Sequence, residues 1–240
     1  IVDYSDGQIL SALANVLRND QVDEVRINAA ETVFNMMRNT NDVDVVEALG
    51  DHRDLLPTLA NSVRTDYSAD VRAYCARSLE WLAADIHSPS LCHGTLLDAL
   101  TSASFWTKTT CIGEALKTQS SLTQNRKAMV EHEGLLDALA TLASLDGIND
   151  DDVKGCALTA IERLTKEEST RSIMASHAGI MTVLTKATFQ KGGVGGMDRF
   201  GGQQGDDLDG DSEDDDRDIR SVNGEKFLAK SALKNLAEVL

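Results

Sequence analysis

Four of the five histidines occupy one recurring position. His52, His93, His132 and His177 each lie three residues before an apolar run. The runs are Leu55-Leu56-Pro57-Thr58-Leu59, Leu96-Leu97-Asp98-Ala99-Leu100, Leu135-Leu136-Asp137-Ala138-Leu139 and Ile180-Met181-Thr182-Val183-Leu184, and the histidines are 41, 39 and 45 residues apart. A regular line of imidazoles is a candidate for metal ligation or for titration near neutral pH. Other chemistry is sparse. Cys75, Cys92, Cys111 and Cys156 show no paired spacing. No Gly-x-Ser-x-Gly, phosphate-binding glycine loop or Cys/His metal cluster occurs. An EF-hand fails because counting back from Gly210 gives Asp209, Asp207 and then Gly205, where a carboxylate is required. The glycines at 192–196 miss the calcium-binding nonapeptide, since Met197 falls where Asp is needed.

The spacing that aligns the histidines is the period of stacked two- or three-helix repeats. A second register marks the last helix of each unit. Its starts read Glu24-Val25-Arg26, Asp70-Val71-Arg72, Trp106-Thr107-Lys108, Asp152-Val153-Lys154 and Gly224-Glu225-Lys226. A small residue follows three positions later (Ala29, Cys75, Cys111, Ala157, Ala229), and then apolar residues at helical spacing such as Leu79 with Leu82 and Ile161 with Leu164. Five units result, at about 1–40, 41–87, 88–120, 121–165 and 166–240. The opening helix of the third shrinks to a turn at Ser88-Pro89-Ser90. Gly134 is expected to turn the chain into the second helix of its unit, with Gly179 repeating that role. Ser68 and Asn149 are expected caps of final helices. Neighbouring helices pack 8–10 Å apart, too far for successive histidines to share an ion at about 2.1 Å. Each histidine instead ends an opening helix, where a polar or cationic side chain suits the dipole.

These features resemble the armadillo and HEAT repeat families. Residues Asn125-Arg126-Lys127-Ala128-Met129-Val130-Glu131-His132-Glu133-Gly134-Leu135-Leu136 are similar to an armadillo opening helix, turn and second helix, and Asp152 through Leu164 to its third. Asp70-Val71-Arg72 is similar to the start of HEAT second helices. The resemblance implies an all-α, right-handed α-solenoid of about five armadillo-like repeats, with third helices lining a concave face. In importin-alpha-like proteins an Asn ladder there clamps an extended peptide, with a Trp four residues earlier. The corresponding residues here are Asn35, Trp81, Lys117, Arg163 and Asn235, preceded at four residues by Glu31, Arg77, Gly113, Thr159 and Ser231. Only the two ends keep Asn, and no Trp occupies the earlier position, so carriage of basic localisation signals is not expected. HEAT-repeat iron hydroxylases use paired His-Glu motifs. Only His132-Glu133 fits; His52-Arg53, His93-Gly94 and His177-Ala178 do not.

Composition narrows the partners. The chain of 240 residues carries a formal net charge of −16, which argues against a phosphate-backbone ligand. No apolar run approaches a membrane span. Unpaired cysteines point to a reducing, intracellular compartment, cytoplasmic or nuclear. From the start of the second helix to the small residue of the third takes 20, 20, 15 and 22 residues in four units but 49 in the fifth. The added segment is Gly-rich over 191–205 and acidic over 206–218, where nine acidic residues and one Arg leave −8. Such a composition predicts a disordered insertion over 191–218. Ser212-Glu213-Asp214-Asp215 within it resembles an acidophilic kinase target.

The expectation for function is a non-catalytic scaffold or adaptor without cofactor or metal, holding a peptide or helix of a protein partner in the groove formed by Asn35, Trp81, Lys117, Arg163 and Asn235, with the acidic loop modulating access. The basic ladder of Arg26, Arg72, Lys108, Lys154 and Lys226 is expected to be structural, each cation meeting a nearby carboxylate across the stack. The start at Ile1 and an end within an apolar helix lead to the expectation that the array continues, which leaves a spacer in a larger protein as an alternative.

Overall fold

The computed structural model describes residues 7–39, 48–50, 52–84, 94–104, 110–146, 150–189 and 215–239. These residues form helices and turns, with no strand among them. The first unit holds α1 (Gln8–Asn19) and α2 (Asp23–Arg38), and the second α3 (Leu55–Thr65) and α4 (Ala69–Ala84) after a helical turn at 48–50. The third holds α5 (Gly94–Ser104) and α6 (Thr110–Ser121). The fourth has three helices, α7 (Thr123–Glu131), α8 (Leu135–Ala143) and α9 (Asp151–Leu164). The fifth has α10 (Glu168–Ser176), α11 (Ala178–Phe189) and α12 (Asp215–Leu236).

The helices stack in two layers. One runs α2, α4, α6, α9, α12, each packed on the next; the other runs α1, α3, α5, α8, α11 in the same manner. Between them lies one continuous core. It is built mainly from Leu, Ala, Val and Ile, including Leu17, Val33, Leu59, Leu79, Leu100, Leu116, Leu139, Ile161, Leu184 and Leu236. A unit's amphipathic helices cannot bury their apolar stripes alone, so each unit is completed by its neighbours.

Local chemistry sets the helix ends. Ser68 Oγ accepts the Val71 N–H at 3.4 Å, capping α4. Pro57 sits in the first turn of α3, where its missing N–H is not needed. Asp23 and Glu24 open α2, and Asp151 and Asp152 open α9, at the positive ends of those helices. Gly134 precedes α8 with φ of 77°, the left-handed conformation that glycine adopts without penalty. Gly179 does not repeat that turn. It lies inside α11, where a Cβ would stand 3.2 Å from Ala140 Cβ and 3.2 Å from His177 Cε1, so it serves the close approach of α11 to α8.

One boundary differs from expectation. The helix α12 is described from Asp215, within the last residues of the expected insertion. The rest of the insertion, residues 191–214, lies outside the described residues, as do His93, Lys108 and Asn149 and the turn at 88–90. The final helix ends at Leu236, and Ala237 and Glu238 form a turn, so the last residues do not continue it. Among the described residues no helix is long and apolar enough to cross a membrane.

Replacing Gly134 by Ala is expected to cost about 1–2 kcal/mol, because the nearest atom to the new Cβ, Thr101 Cγ2 at 3.6 Å, leaves room and only the backbone resists. Gly134→Asn should cost less. Urea denaturation midpoints of the two variants check the order.

Candidate functional site: the concave helical ridge

The outward stripe of α9 consists of Gly155, Thr159 and Arg163, all half-buried, since the remaining residues between Val153 and Leu164 are buried. The same register gives Ile27, Glu31 and Asn35 on α2, Ala73, Arg77 and Trp81 on α4, Gly113 and Lys117 on α6, and Phe227, Ser231 and Asn235 on α12. One face of the third-helix layer therefore carries three rows of side chains across the stack.

The lowest row holds the five expected groove residues. Asn35 is half-buried and Trp81 is 45% exposed, each near the C-terminal end of its helix in the stacked pair α2 and α4. Lys117 and Arg163 are brought together. Lys117 Nζ meets Glu114 at 2.6 Å, and Arg163 Nη1 donates to the Lys117 carbonyl at 2.7 Å. Asn235 Nδ2 donates to Thr165 Oγ1 at 3.0 Å, tying α12 to the end of α9. Burial pushes the Glu114 carboxyl up, but hydrogen bonds from Lys117 and Cys156 and the charges of Lys117 and Arg163 pull it down further, and it lies below its ordinary value. Glu114 thus stands beside two cations, Lys117 and Arg163. Gly113 is buried, 3.1 Å from Cys156 Cβ by way of an added Cβ, and an added Cβ at Gly155 would meet nothing within 4 Å. Gly113 therefore serves the contact of α6 with α9, and Gly155 leaves the surface of α9 bare at its position. Phe227, 71% exposed on the upper row, escaped sequence reasoning; its place one residue after Lys226 was the available signal.

The basic ladder lies below this surface. Arg26 is buried and grips Asp66 of the next unit through Nε at 2.9 Å and Nη2 at 3.1 Å, with Asp23 at 2.6 Å and the Asp20 carbonyl at 3.0 Å. Hydrogen bonding to Asp66, opposed by desolvation and aided by Asp23, holds the guanidinium above its ordinary value. Arg72 makes the equivalent local bonds, to the Asp66 carbonyl at 2.6 Å and the Tyr67 carbonyl at 3.1 Å. Lys154 pairs with Glu225 of the fifth unit at 2.7 Å, both side chains buried. Lys226 is half-buried at the same register.

The histidines form a third ladder, on the other layer. Nε2 of His52 lies 3.1 Å from Ser11 Oγ, Nε2 of His132 3.0 Å from Asp98, and Nε2 of His177 3.3 Å from Asp137. Ser11, Asp98 and Asp137 hold the same position in α1, α5 and α8, so each histidine reaches back to the second helix of the unit before it. His132 and His177 also end α7 and α10. Among the described residues no group of three or more His, Cys, Asp or Glu could hold a metal ion. Cys75, Cys111 and Cys156 are free thiols. Burial first, then Glu80, pushes Cys111 up to about 11; burial and then Glu114 push Cys156 up to about 12. Neither has the thiolate character a nucleophile needs.

No family model matches this chain. No curated protein matches it either. Solved structures do. It is similar to computationally designed armadillo repeat proteins for modular peptide recognition, with TM-score 0.59 and 16% identity over 94% of this chain and 81% of that one. A second designed armadillo repeat protein gives TM-score 0.58 and 16% identity, over 97% of this chain and 84% of that one. A third, in complex with the peptide (KR)4, gives TM-score 0.58 and 15% identity over the same shares. The fold is that of an armadillo-like repeat. The chain is a right-handed α-solenoid in which α2, α4, α6, α9 and α12 are the third helices.

Two outcomes test the buried chemistry. Lys154→Met is expected to destabilise by about 3–5 kcal/mol, because it leaves Glu225 buried without that cation, whereas Lys154→Met with Glu225→Leu recovers most of the loss; calorimetry or urea titration reads both. Iodoacetamide at pH 8 should label Cys111 and Cys156 about a hundredfold more slowly in native than in urea-unfolded protein, read by peptide mass spectrometry.

Proposed function

We propose that this chain is a non-catalytic scaffold that holds a peptide or helix of a partner protein along its third-helix ridge. The observation that carries the reading is the row of Asn35, Trp81, Lys117, Arg163 and Asn235 on one face, with a large aromatic left 45% exposed at its second step. An aromatic on a rigid helix, flanked by hydrogen-bonding side chains, is the usual composition of an energetic anchor. The likeness to designed proteins made for peptide recognition is consistent with this use of the face. Lys117 and Arg163 add fixed donors, since their carbons lie along the ridge and their heads are already oriented by Glu114 and the Lys117 carbonyl. Free thiols in three of the units favour an intracellular setting. The acidic stretch at 206–218 is joined to α12 and competes for the same face in this reading, with phosphorylation of Ser212 strengthening its charge.

Selection of peptides from a displayed random library checks the proposal. Peptides recovered on the wild-type chain should lose at least about tenfold in affinity on Trp81→Ala, about 1.4 kcal/mol or more. Recovered peptides that bind equally well to Trp81→Ala and to Arg163→Ala would place recognition on another surface.

A further inference from the structure

In the layer away from the ridge, the first boundary between units is bridged by polar groups. Arg18 Nη2, in the last turn of α1, donates to Thr58 Oγ1 of α3 at 2.8 Å, and His52 Nε2 lies 3.1 Å from Ser11 Oγ. The second boundary, between α3 and α5, keeps the cation and loses the groups that answer it. Arg64 stands seven residues after Pro57, as Arg18 stands seven after Ser11. Ala99 holds the register of Thr58 in α5, and it has no hydroxyl. Pro57 holds the register of Ser11, and it has no polar side chain. A cleft of about 300 Å³ lies between the two helices at this place.

Its lining is divided by chemistry. Pro57, Ala60 and Ala99 give it an apolar side, with both alanines buried, and Asn61, Arg64 and Asp98 stand exposed along it. Arg64 Nη2 donates to Asn61 Oδ1 at 2.9 Å, which brings the guanidinium to the level of Asn61. Asp98 comes from the facing helix, its Oδ1 held 3.0 Å from His132 Nε2. Asp98 shares the register of Pro57, and Asn61 lies four residues further on. At about 1.5 Å of rise per residue, the carboxylate and the guanidinium stand roughly 6 Å apart along the cleft. Two residues of extended chain, at about 3.3 Å each, span that distance. The volume lies at the lower limit of small-molecule sites, which run from about 300 to 1,000 Å³. We propose that the cleft binds a free dipeptide, with its carboxylate on Arg64, its ammonium on Asp98 and an apolar side chain over Pro57, Ala60 and Ala99. A guanidinium fork matches a carboxylate, and charge-assisted hydrogen bonds of this kind fix a small ligand's direction. The arrangement recognises both termini at once, so it selects the free zwitterion over a longer chain.

Isothermal titration of the 240-residue chain with the dipeptide alanyl-leucine tests this. Two further probes carry an acetylated amine or an amidated carboxylate. The free dipeptide should bind at least tenfold more tightly than either blocked form. Arg64→Gln, a change on an exposed side chain, should erase the preference for the free carboxylate and keep the preference for the free amine. Ala99→Thr restores the hydroxyl that Arg18 meets in Thr58. It should fill the cleft, abolish binding of all three probes and raise the melting temperature, with the helical circular dichroism spectrum unchanged. Equal affinity for the three probes overturns the inference. So does a carboxylate preference that survives Arg64→Gln, and so does wild-type affinity in a folded Ala99→Thr chain. Absence of saturable binding by the free dipeptide at millimolar concentration overturns it outright and leaves the reading of the ridge untouched.

Discussion

The stack depends on one constraint: each third helix must be closed by side chains of the next unit. Connections between units are short in sequence but leave two long helical faces to be joined. Apolar burial does most of this, yet it is non-directional and would tolerate sliding. Register comes from polar groups that cross the boundary. Arg26 to Asp66 joins units one and two, Gln119 to the Ala83 carbonyl joins two and three, Arg163 to the Lys117 carbonyl joins three and four, and Lys154 to Glu225 joins four and five. Each is buried or half-buried, so misalignment would strand a charge or a donor in a low-dielectric layer, at a cost well above that of a lost surface pair.

These crossings differ in what they leave exposed. Where the joining cation lies deep, as with Arg26 and Lys154, its charge is spent inside the layer and the outer surface is free to vary. Where it lies at the lower row, as with Arg163, the same residue both sets the register and faces the groove. The stack is therefore held at both ends of these helices, by Arg26 and Lys154 in the first turns and by Gln119, Arg163 and Asn235 in the last. The small residues Gly113 and Gly155 differ in their surroundings. Gly113 permits α6 to approach α9 closely at Cys156, whereas Gly155 faces open space and leaves the surface of α9 without a side chain there.

Much of this was legible in the sequence because it is periodic. Apolar spacing marked the helices, and the recurrence of His and of a basic residue marked the units. The all-α fold followed from repetition. What a one-dimensional reading lacked was the partner of each repeated group. His132 has no carboxylate near it in sequence that matters; Asp98 is supplied by the preceding unit, 34 residues away. Gly179 looked like Gly134 by position, but a glycine's backbone angle and its packing are separate reasons for its use, and only coordinates distinguish them.

The aromatic residues illustrate why the groove was harder to read than the stack. Core positions repeat because every unit solves the same packing problem. Ridge positions need not repeat, since close packing does not dictate a side chain that faces away from the core. Asn35, Trp81, Lys117, Arg163 and Asn235 share a register and almost nothing else, and Phe227 stands on another row altogether. The buried row Ala29, Cys75, Ala157 and Ala229, which every unit packs in the same way, keeps small side chains instead.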